Sequence, residues 1–194
     1  MTYSIDEIGE RVYALLDENR TIMTERVEYC DPGASPDTLI TMLLPDVARE
    51  VLTSASLEML DECRTLRSAA VSRNAETGVV TCVLPSDCLR VIYLRMDDWA
   101  TGIDALLDTS GYEYRLRFSD GVRGTRRRSR PGAAVRRKGA VRILEIFGSE
   151  AGKVAELDYV AVPVITDGKT DLPPGVFSEV CSRLAARIKE ITAK

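Results

Sequence analysis

The chain has 194 residues, of which 45% are hydrophobic and 29% are charged. This length and composition suffice for one buried core, or for a main domain with a helical appendage, and they argue against wholesale disorder. No run approaches the roughly 18 uninterrupted apolar residues that a membrane-spanning helix needs. The acidic start, with Asp6, Glu7 and Glu10, does not match a secretory signal, so we expect a cytoplasmic protein.

The net charge of −4 is unevenly distributed along the sequence. Residues 115–142 contain eleven basic residues and one acid, Asp120, whereas the remainder contains 15 basic and 29 acidic residues. The two parts therefore carry +10 and −14. This segregation predicts two electrostatic faces, one of which suits a polyanion or the acidic surface of a neighbouring subunit.

The N-terminal third predicts a small helical unit. Ser4 and Glu7 form a Ser-x-x-Glu capping box ahead of apolar residues at helical spacing, so we expect a first helix that ends near Asn19. Residues 20–34 are polar and end in a turn signal, Asp31-Pro32-Gly33.

A second helix is expected from Pro36, a first-position proline that Ser35 would cap. Pro45 removes a backbone donor and clashes with the preceding turn, so it should break or kink this helix. We expect a new helix to open at Pro45 and to run to about Thr65.

The middle of the chain predicts antiparallel strands, because its β-rich runs are too closely spaced for helical crossovers. Five runs qualify: Val79–Leu84, Leu89–Leu94, Tyr112–Phe118, Val141–Phe147 and Val154–Val162. The third shows the alternation of a half-buried strand, and Gly148–Gly152 is expected to join the last two as a hairpin.

A final helix is expected after Pro173-Pro174, where apolar residues step by four: Val176, Val180, Leu184 and Ile188. The predicted fold class is α+β, with N-terminal helices, a central mostly antiparallel β sandwich or barrel, and a C-terminal helix. The expected division is a helical segment, residues 1–70, and a β-rich domain closed by the C-terminal helix, residues 71–194, which together form one integrated unit.

Catalytic chemistry has little support in the sequence. Histidine, the commonest general base, is absent, and neither a P-loop nor a dinucleotide fingerprint occurs. The five cysteines form no CxxC pair, so we expect reduced structural thiols and no zinc site. Asp97-Asp98 is the one candidate acid pair, but a solvated turn or a helix start explains it better. We expect neither an enzyme nor a cofactor.

The candidate site is the basic stretch itself. The first arginines are expected on one face of a strand and the next group in a loop, since that segment contains glycine and proline. Candidate contact residues for a subunit or for DNA are Arg115, Arg117, Arg123, Arg126, Arg127, Arg128, Arg130, Arg136, Arg137 and Lys138.

Three interpretations of this stretch compete. It is a solvated loop of no special use, a site of non-specific phosphate contact, or a dock for the acidic surface of another subunit. Guanidinium groups match both phosphate and carboxylate in bidentate geometry. Aromatic residues are not interleaved with the arginines, which counts against base stacking.

The order of elements resembles the head–tail connector proteins of tailed bacteriophages, ring-forming adaptor or tail-tube proteins of podovirus-like and crAss-like phages. A short acidic N-terminal helix and a second helical segment come first. The run Leu84-Pro85-Ser86-Asp87-Cys88-Leu89-Arg90 is similar to a phrase that these proteins show at the start of a strand, with Trp99 downstream. A Gly–Arg–Pro loop, two strands and a closing helix complete the likeness.

The resemblance implies a homomeric ring, often twelve-fold, that stacks on the portal and passes DNA through its channel. It implies as partners the portal protein and neighbouring tail or ring proteins, with non-specific DNA contact in the channel and no membrane. The protein would occupy the host cytoplasm during assembly and then the virion. Strong DNA binding would oppose passage, so we expect most of the arginines to contact subunits. The alternative is a cytoplasmic, non-specific nucleic-acid-binding protein that acts through the segment from Arg123 to Lys138.

Overall fold

A computed structural model describes residues 1–17, 36–60, 63–119 and 129–192 of the chain. The chain divides into two compact units: the helical unit, Met1–Glu62 with Val162–Lys194, and the β unit, Cys63–Ala161. This division differs from the expected one, which placed the boundary after residue 70 and the C-terminal helix with the strands. The α+β class is confirmed, and the sheets are antiparallel and not closed into a barrel.

The described elements follow in chain order, with a short 3₁₀ helix, Leu57–Met59, after α2. They are β1 (Thr2–Ser4), α1 (Ile5–Asp17), α2 (Pro36–Ser54), β2 (Arg64–Ala70), β3 (Ser72–Arg73), β4 (Val80–Val83), β5 (Cys88–Met96), α3 (Tyr112–Leu116), β6 (Gly132–Lys138), β7 (Val141–Phe147), β8 (Lys153–Ala161), β9 (Ile165–Thr166), β10 (Lys169–Asp171) and α4 (Pro174–Thr192).

The helical unit packs α1, α2 and α4 together beside a small antiparallel sheet in the order β1-β10-β9. The predicted capping box is confirmed: the Glu7 amide donates to Ser4 Oγ at 3.1 Å, and the Ser4 amide donates to Glu7 Oε2 at 2.7 Å. The predicted start of α2 at Pro36 is confirmed as well. The stripe on α4 is buried as expected, at Val176, Val180, Leu184 and Ile188, with Cys181 and Ala185 beside it.

Pro45 does not end α2, which continues to Ser54, so the expected break and the new helix to Thr65 are wrong. Buried side chains before and after the proline, including Leu44 and Val47, lie on the helix that packs against α4. Each such side chain stabilises the fold by roughly 1.5–3 kcal/mol, and together they outweigh a proline cost of about 3 kcal/mol.

The β unit contains two antiparallel sheets, one of three strands in the order β2-β8-β5 and one of four in the order β3-β4-β7-β6. Their apolar faces share one core, to which Leu144 and Ile146 contribute from the larger sheet and Leu94 and Leu157 from the smaller. The two layers therefore match the sandwich, rather than the barrel, of the expected architecture.

The expected hairpin at Gly148–Gly152 is wrong, because β7 and β8 belong to different sheets. The segment between them instead carries the chain from one layer of the sandwich to the other. The hairpin of the larger sheet is β6–β7, which turns at Gly139 with a φ of 63°. The expectation of a loop up to Lys138 is therefore wrong for Gly132–Lys138, which pairs with β7 along its whole length.

The expected strand Tyr112–Phe118 is also wrong, since Tyr112–Leu116 forms the short helix α3. Tyr114 and Phe118 are four residues apart, so a helical turn brings both rings to the same side. They meet there at 5.2 Å between centroids, and Phe147 of β7 lies 5.6 Å from the Phe118 ring. This aromatic cluster favours the helix over the alternating pattern of the segment.

Candidate functional site

The structure divides the ten candidate cations into two groups. Four lie outside the described residues: Arg123, Arg126, Arg127 and Arg128. The other six lie in the β unit, around α3 and β6: Arg115, Arg117, Arg130, Arg136, Arg137 and Lys138. The charged groups of these six residues differ sharply in how exposed they are to a partner.

Arg117 is an internal residue, with 5% of its surface exposed. Its Nη1 donates to the carbonyl of Arg130 at 2.6 Å, and its guanidinium carbon lies 5.3 Å from the centroid of the Phe147 ring. A Cβ added at Gly132 would lie 2.8 Å from Arg117 Nη2, so the glycine makes room for the guanidinium. Arg117 therefore fixes the backbone that leads into β6.

Arg136 belongs to a second network, centred on the buried Glu145 of β7, and its own side chain is 52% exposed. Glu145 is 7% exposed, and its two carboxylate oxygens accept from Arg136 Nη1 at 3.1 Å and from the Tyr114 hydroxyl at 2.6 Å. Burial and the Glu145 carboxylate raise the pKa of Tyr114 to about 12. The charge of Glu145 also raises the pKa of Arg136.

Sequence reasoning missed Glu145, although a signal for it exists. Glu145 is the only acid within the run Val141–Phe147, whose other residues from Ile143 onward are apolar. A charge in such a run is buried only when it is paired, so it points to a partner across the fold. The identity of that partner depends on α3, which was predicted as a strand.

Arg115, Arg137 and Lys138 are exposed. Arg115 Nη2 donates to the Ser110 carbonyl at 3.1 Å, and Arg137 Nε donates to the Gly139 carbonyl at 3.3 Å. Arg137 and Lys138 stand next to the β6–β7 turn, because Lys138 pairs with Val141 in the register of the hairpin. The turn of this hairpin is thus the part of the described basic stretch that a partner reaches most easily.

A groove of about 370 Å³ lies beside this hairpin, and we refer to it as the basic groove. Part of its lining is apolar, with Val79, Phe118 and Ile143. The cations Arg136, Arg137 and Lys138 also line it, with Glu145 among them. An apolar surface with a cationic rim suits an apolar side chain flanked by carboxylates better than it suits a bare phosphate.

The charge of the chain is divided between its two units. The β unit contains 17 basic and 12 acidic residues, for a net charge of +5, and the helical unit contains 9 and 18, for −9. These sum to the −4 of the whole chain. The segregation seen along the sequence is therefore also a segregation between folded units.

The acid pair Asp97-Asp98 lies in a turn, as the sequence analysis favoured. Asp97 pairs with Lys153 Nζ at 3.4 Å. Asp98 accepts from the Ser149 hydroxyl at 2.7 Å and from the amides of Glu150 and Ala151. Burial acts to raise the pKa of Asp98, but these hydrogen bonds together outweigh it and hold the pKa below its ordinary value.

Trp99 completes this contact, since its Nε1 donates to the Gly148 carbonyl at 2.7 Å. The turn that follows β5 therefore holds the segment that links β7 to β8. Asp98 has its partners in this segment, and Asp97 pairs with Lys153 at the start of β8, so both carboxylates have structural partners.

The described cysteines, Cys63, Cys82, Cys88 and Cys181, are free thiols, and Cys30 lies outside the described residues. Burial raises the pKa of Cys88 and of Cys181 to about 11, so both thiols are protonated at neutral pH. Among the described residues no group of three or more cysteine, aspartate or glutamate side chains could hold a metal ion. No helix within the described part of the chain is long and apolar enough to cross a bilayer.

Comparison with known proteins finds no matching family model and no matching curated protein.

Proposed function

We propose that the chain is the subunit of a non-enzymatic, ring-forming connector at the capsid–tail junction of a tailed bacteriophage, beneath the portal, with a channel for DNA. The observation that supports it best is the charge division between the β unit, at +5, and the helical unit, at −9. A cyclic ring needs head-to-tail contacts, in which one surface of a subunit meets a different surface of the next. Opposite charges on two units of one chain provide such a complementary pair.

The described cations favour protein contacts over DNA contacts. Arg117 is buried, so it is not available as a phosphate ligand, and the Glu145 carboxylate offsets part of the charge of Arg136, whose side chain is 52% exposed. Glu145 also brings a negative charge into the lining of the basic groove. A channel that passes DNA gains from weak contact with it, since tight binding would oppose movement.

The test is assembly of the full chain, alone and with a portal protein from the same source, followed by light scattering after size exclusion and by electron microscopy. We expect a closed ring, or a ring that forms on the portal. Lys138→Glu should weaken assembly, because it reverses a charge on the exposed hairpin. Arg67→Glu is the matched control: its side chain is 76% exposed on β2, in the other sheet of the same unit, and the ion pair with Glu156 that it removes is screened by water. A wild-type chain that remains monomeric with and without the portal would refute the proposal.

Non-specific nucleic-acid binding is the second candidate. It is favoured by three consecutive exposed cations, Arg136, Arg137 and Lys138, at the end of β6. Binding of this kind weakens steeply with salt, because phosphate contacts release counterions. If the triple change of Arg126, Arg127 and Arg128 to serine abolishes duplex binding and leaves assembly intact, this candidate replaces the connector.

A further inference from the structure

The described residues cover only one end of the outer face of the four-stranded sheet. Alternate residues of β4, β6 and β7 form this face, as the pairing of Val83 with Ile143 and of Ile143 with Arg136 shows. The aromatic side chains of α3 and Phe118 cover the end that carries Phe147. At the other end Val83 is 63% exposed and Val141 is 45% exposed.

The uncovered end is continuous with the basic groove. Ile143 is shared by both, and Phe118 at the far wall is 39% exposed. Arg136 and Lys138 stand on the same face of the sheet as Val83 and Val141. An occupant must therefore offer an apolar side chain to the valines and carboxylates to the two cations. Phosphate fails the first requirement, because it gains nothing from covering apolar surface.

The helical unit carries an exposed apolar side chain with a carboxylate beside it. Met42 on α2 is 69% exposed, the largest exposed fraction among the large apolar side chains that the structure describes in that unit. Asp46 lies one helical turn further along the same face and is exposed. Methionine is unbranched and flexible, so it adapts to an open groove better than a β-branched side chain does.

We propose that the basic groove of one copy receives the Met42–Asp46 turn of α2 from the next copy. The Met42 side chain covers Val83 and Ile143, and the Asp46 carboxylate faces Arg136 and Lys138. This interface rests on the proposed self-assembly and identifies the surfaces that perform it. Each chain offers one turn and one groove, so the contact is head-to-tail and propagates into a ring or a filament.

The test uses the full chain in sedimentation velocity over a wide concentration range. Met42→Lys disables the turn and Val83→Asp disables the groove, and each alone should weaken self-association by about tenfold or more. Both sites are exposed, so folding should survive, and Trp99 fluorescence with circular dichroism checks this. The matched controls are Val164→Lys, 62% exposed in the helical unit, and Tyr112→Asp, 70% exposed in the β unit. Both controls should associate like the wild type.

The decisive arm mixes the two disabled variants in equal amounts. The Val83→Asp chain keeps an intact turn and the Met42→Lys chain keeps an intact groove, so the mixture should form one-to-one dimers that grow no further. A photo-crosslinking residue at position 42 should also label peptides that contain Val83, Val141 or Ile143.

Three results would overturn the interface. The first is a wild-type chain that stays monomeric at every concentration, and the second is a wild-type oligomer that Met42→Lys leaves unchanged. The third is a Val83→Asp chain that loses duplex binding but keeps self-association. The second result leaves the connector proposal standing, because assembly persists through another surface, whereas absence of assembly with the portal defeats that proposal by itself.

Discussion

The hydrogen bond from Tyr114 to Glu145 offers the sharpest test of how the β unit is held together. Tyr114→Phe deletes the hydroxyl that donates to Glu145 Oε2 at 2.6 Å, in a place where the two residues are 8% and 7% exposed. A hydrogen bond to a charged group is worth about 1.5–3 kcal/mol, and leaving a buried acceptor without its donor costs a similar amount. We therefore expect Tyr114→Phe to lower the free energy of unfolding by about 1.5–3 kcal/mol.

The Arg136 side of the network joins an exposed cation to a buried anion. The Arg136 side chain is 52% exposed, whereas the Glu145 side chain is 10% exposed and would keep only the Tyr114 hydroxyl as its partner without Arg136. Arg136→Met should therefore cost about 1–3 kcal/mol. The double-mutant cycle of Tyr114→Phe with Glu145→Gln should show a coupling free energy of about 1 kcal/mol or more, since the two side chains touch.

Urea unfolding followed by tryptophan fluorescence measures the free energy of unfolding of the β unit. Trp99 is the single tryptophan of the chain and lies in the β unit, so its signal reports on that unit. With a urea m-value of about 1–3 kcal/mol per molar, Tyr114→Phe should lower the midpoint by about 1 M. Tyr112→Phe is the control, because Tyr112 is 70% exposed on the same helix. A Tyr114→Phe chain as stable as this control would refute the assigned role of the network.

The same bond predicts a dependence on alkaline pH. The pKa of Tyr114 is raised from 10 in the unfolded chain to about 12 in the folded one. A raised pKa means that the stabilisation is complete below pH 10 and is lost as the pH rises through 12. The stability advantage of the wild type over Tyr114→Phe should therefore shrink between these two pH values. An advantage that stays constant across this window would contradict the assignment.

Three further predictions concern the remaining contacts of the β unit. Gly148→Ala should destabilise the β unit strongly, because the φ of Gly148 is 71° and an added Cβ would lie 2.4 Å from the carbonyl carbon of Arg130. Gly152→Ala is the control and should be nearly neutral in the same urea assay, because an added Cβ there would meet no atom within 4 Å. Asp98→Ala should cost about 1–3 kcal/mol and shift the emission of Trp99, since both hold the segment between β7 and β8. Arg117→Met should destabilise the unit by about 1–3 kcal/mol and leave assembly of the folded fraction unchanged, and a selective loss of assembly would refute its internal role.

Local sequence signals predicted the elements whose stability is local. The capping box of Ser4 and Glu7 located the start of α1, because its two hydrogen bonds join residues only three positions apart. The fixed φ of Pro36 located the start of α2. The four-residue spacing from Val176 to Ile188 predicted the buried face of α4, since a helix repeats every 3.6 residues.

The errors arose where distant residues decide the structure. The alternation of Tyr112–Phe118 fits a strand, but the partners that favour a helix, Phe147 and Glu145, lie about thirty residues further along the chain. Gly148–Gly152 has the composition of a hairpin turn, yet its ends pair with different strands, and the Asp98 turn holds the segment in place. Neither outcome could be read from a short window of sequence.

The candidate site was predictable in its charge and not in its detail. The count of arginines marked the segment correctly as the basic part of the chain. The count could not distinguish Arg117, whose guanidinium lies over the Phe147 ring, from Lys138, which is exposed beside a turn. That separation depends on β7, which supplies both the aromatic ring and the Glu145 carboxylate to the neighbouring segment.

The basic stretch, residues 115–142, reverses the sign of the net charge of the β unit. Outside residues 115–142 the β unit has 6 basic and 11 acidic residues, a net charge of −5, and the stretch adds +10 to reach +5. Without the stretch, both units would be acidic, and any contact between the helical unit of one copy and the β unit of another would be repulsive. The exposed cations need not each touch a partner to act in this way, because those beside a contact also contribute to the field that attracts an acidic surface. Assembly should therefore follow the number of exposed cations on the β unit as well as the identity of the contact residues, and it should weaken as ionic strength rises.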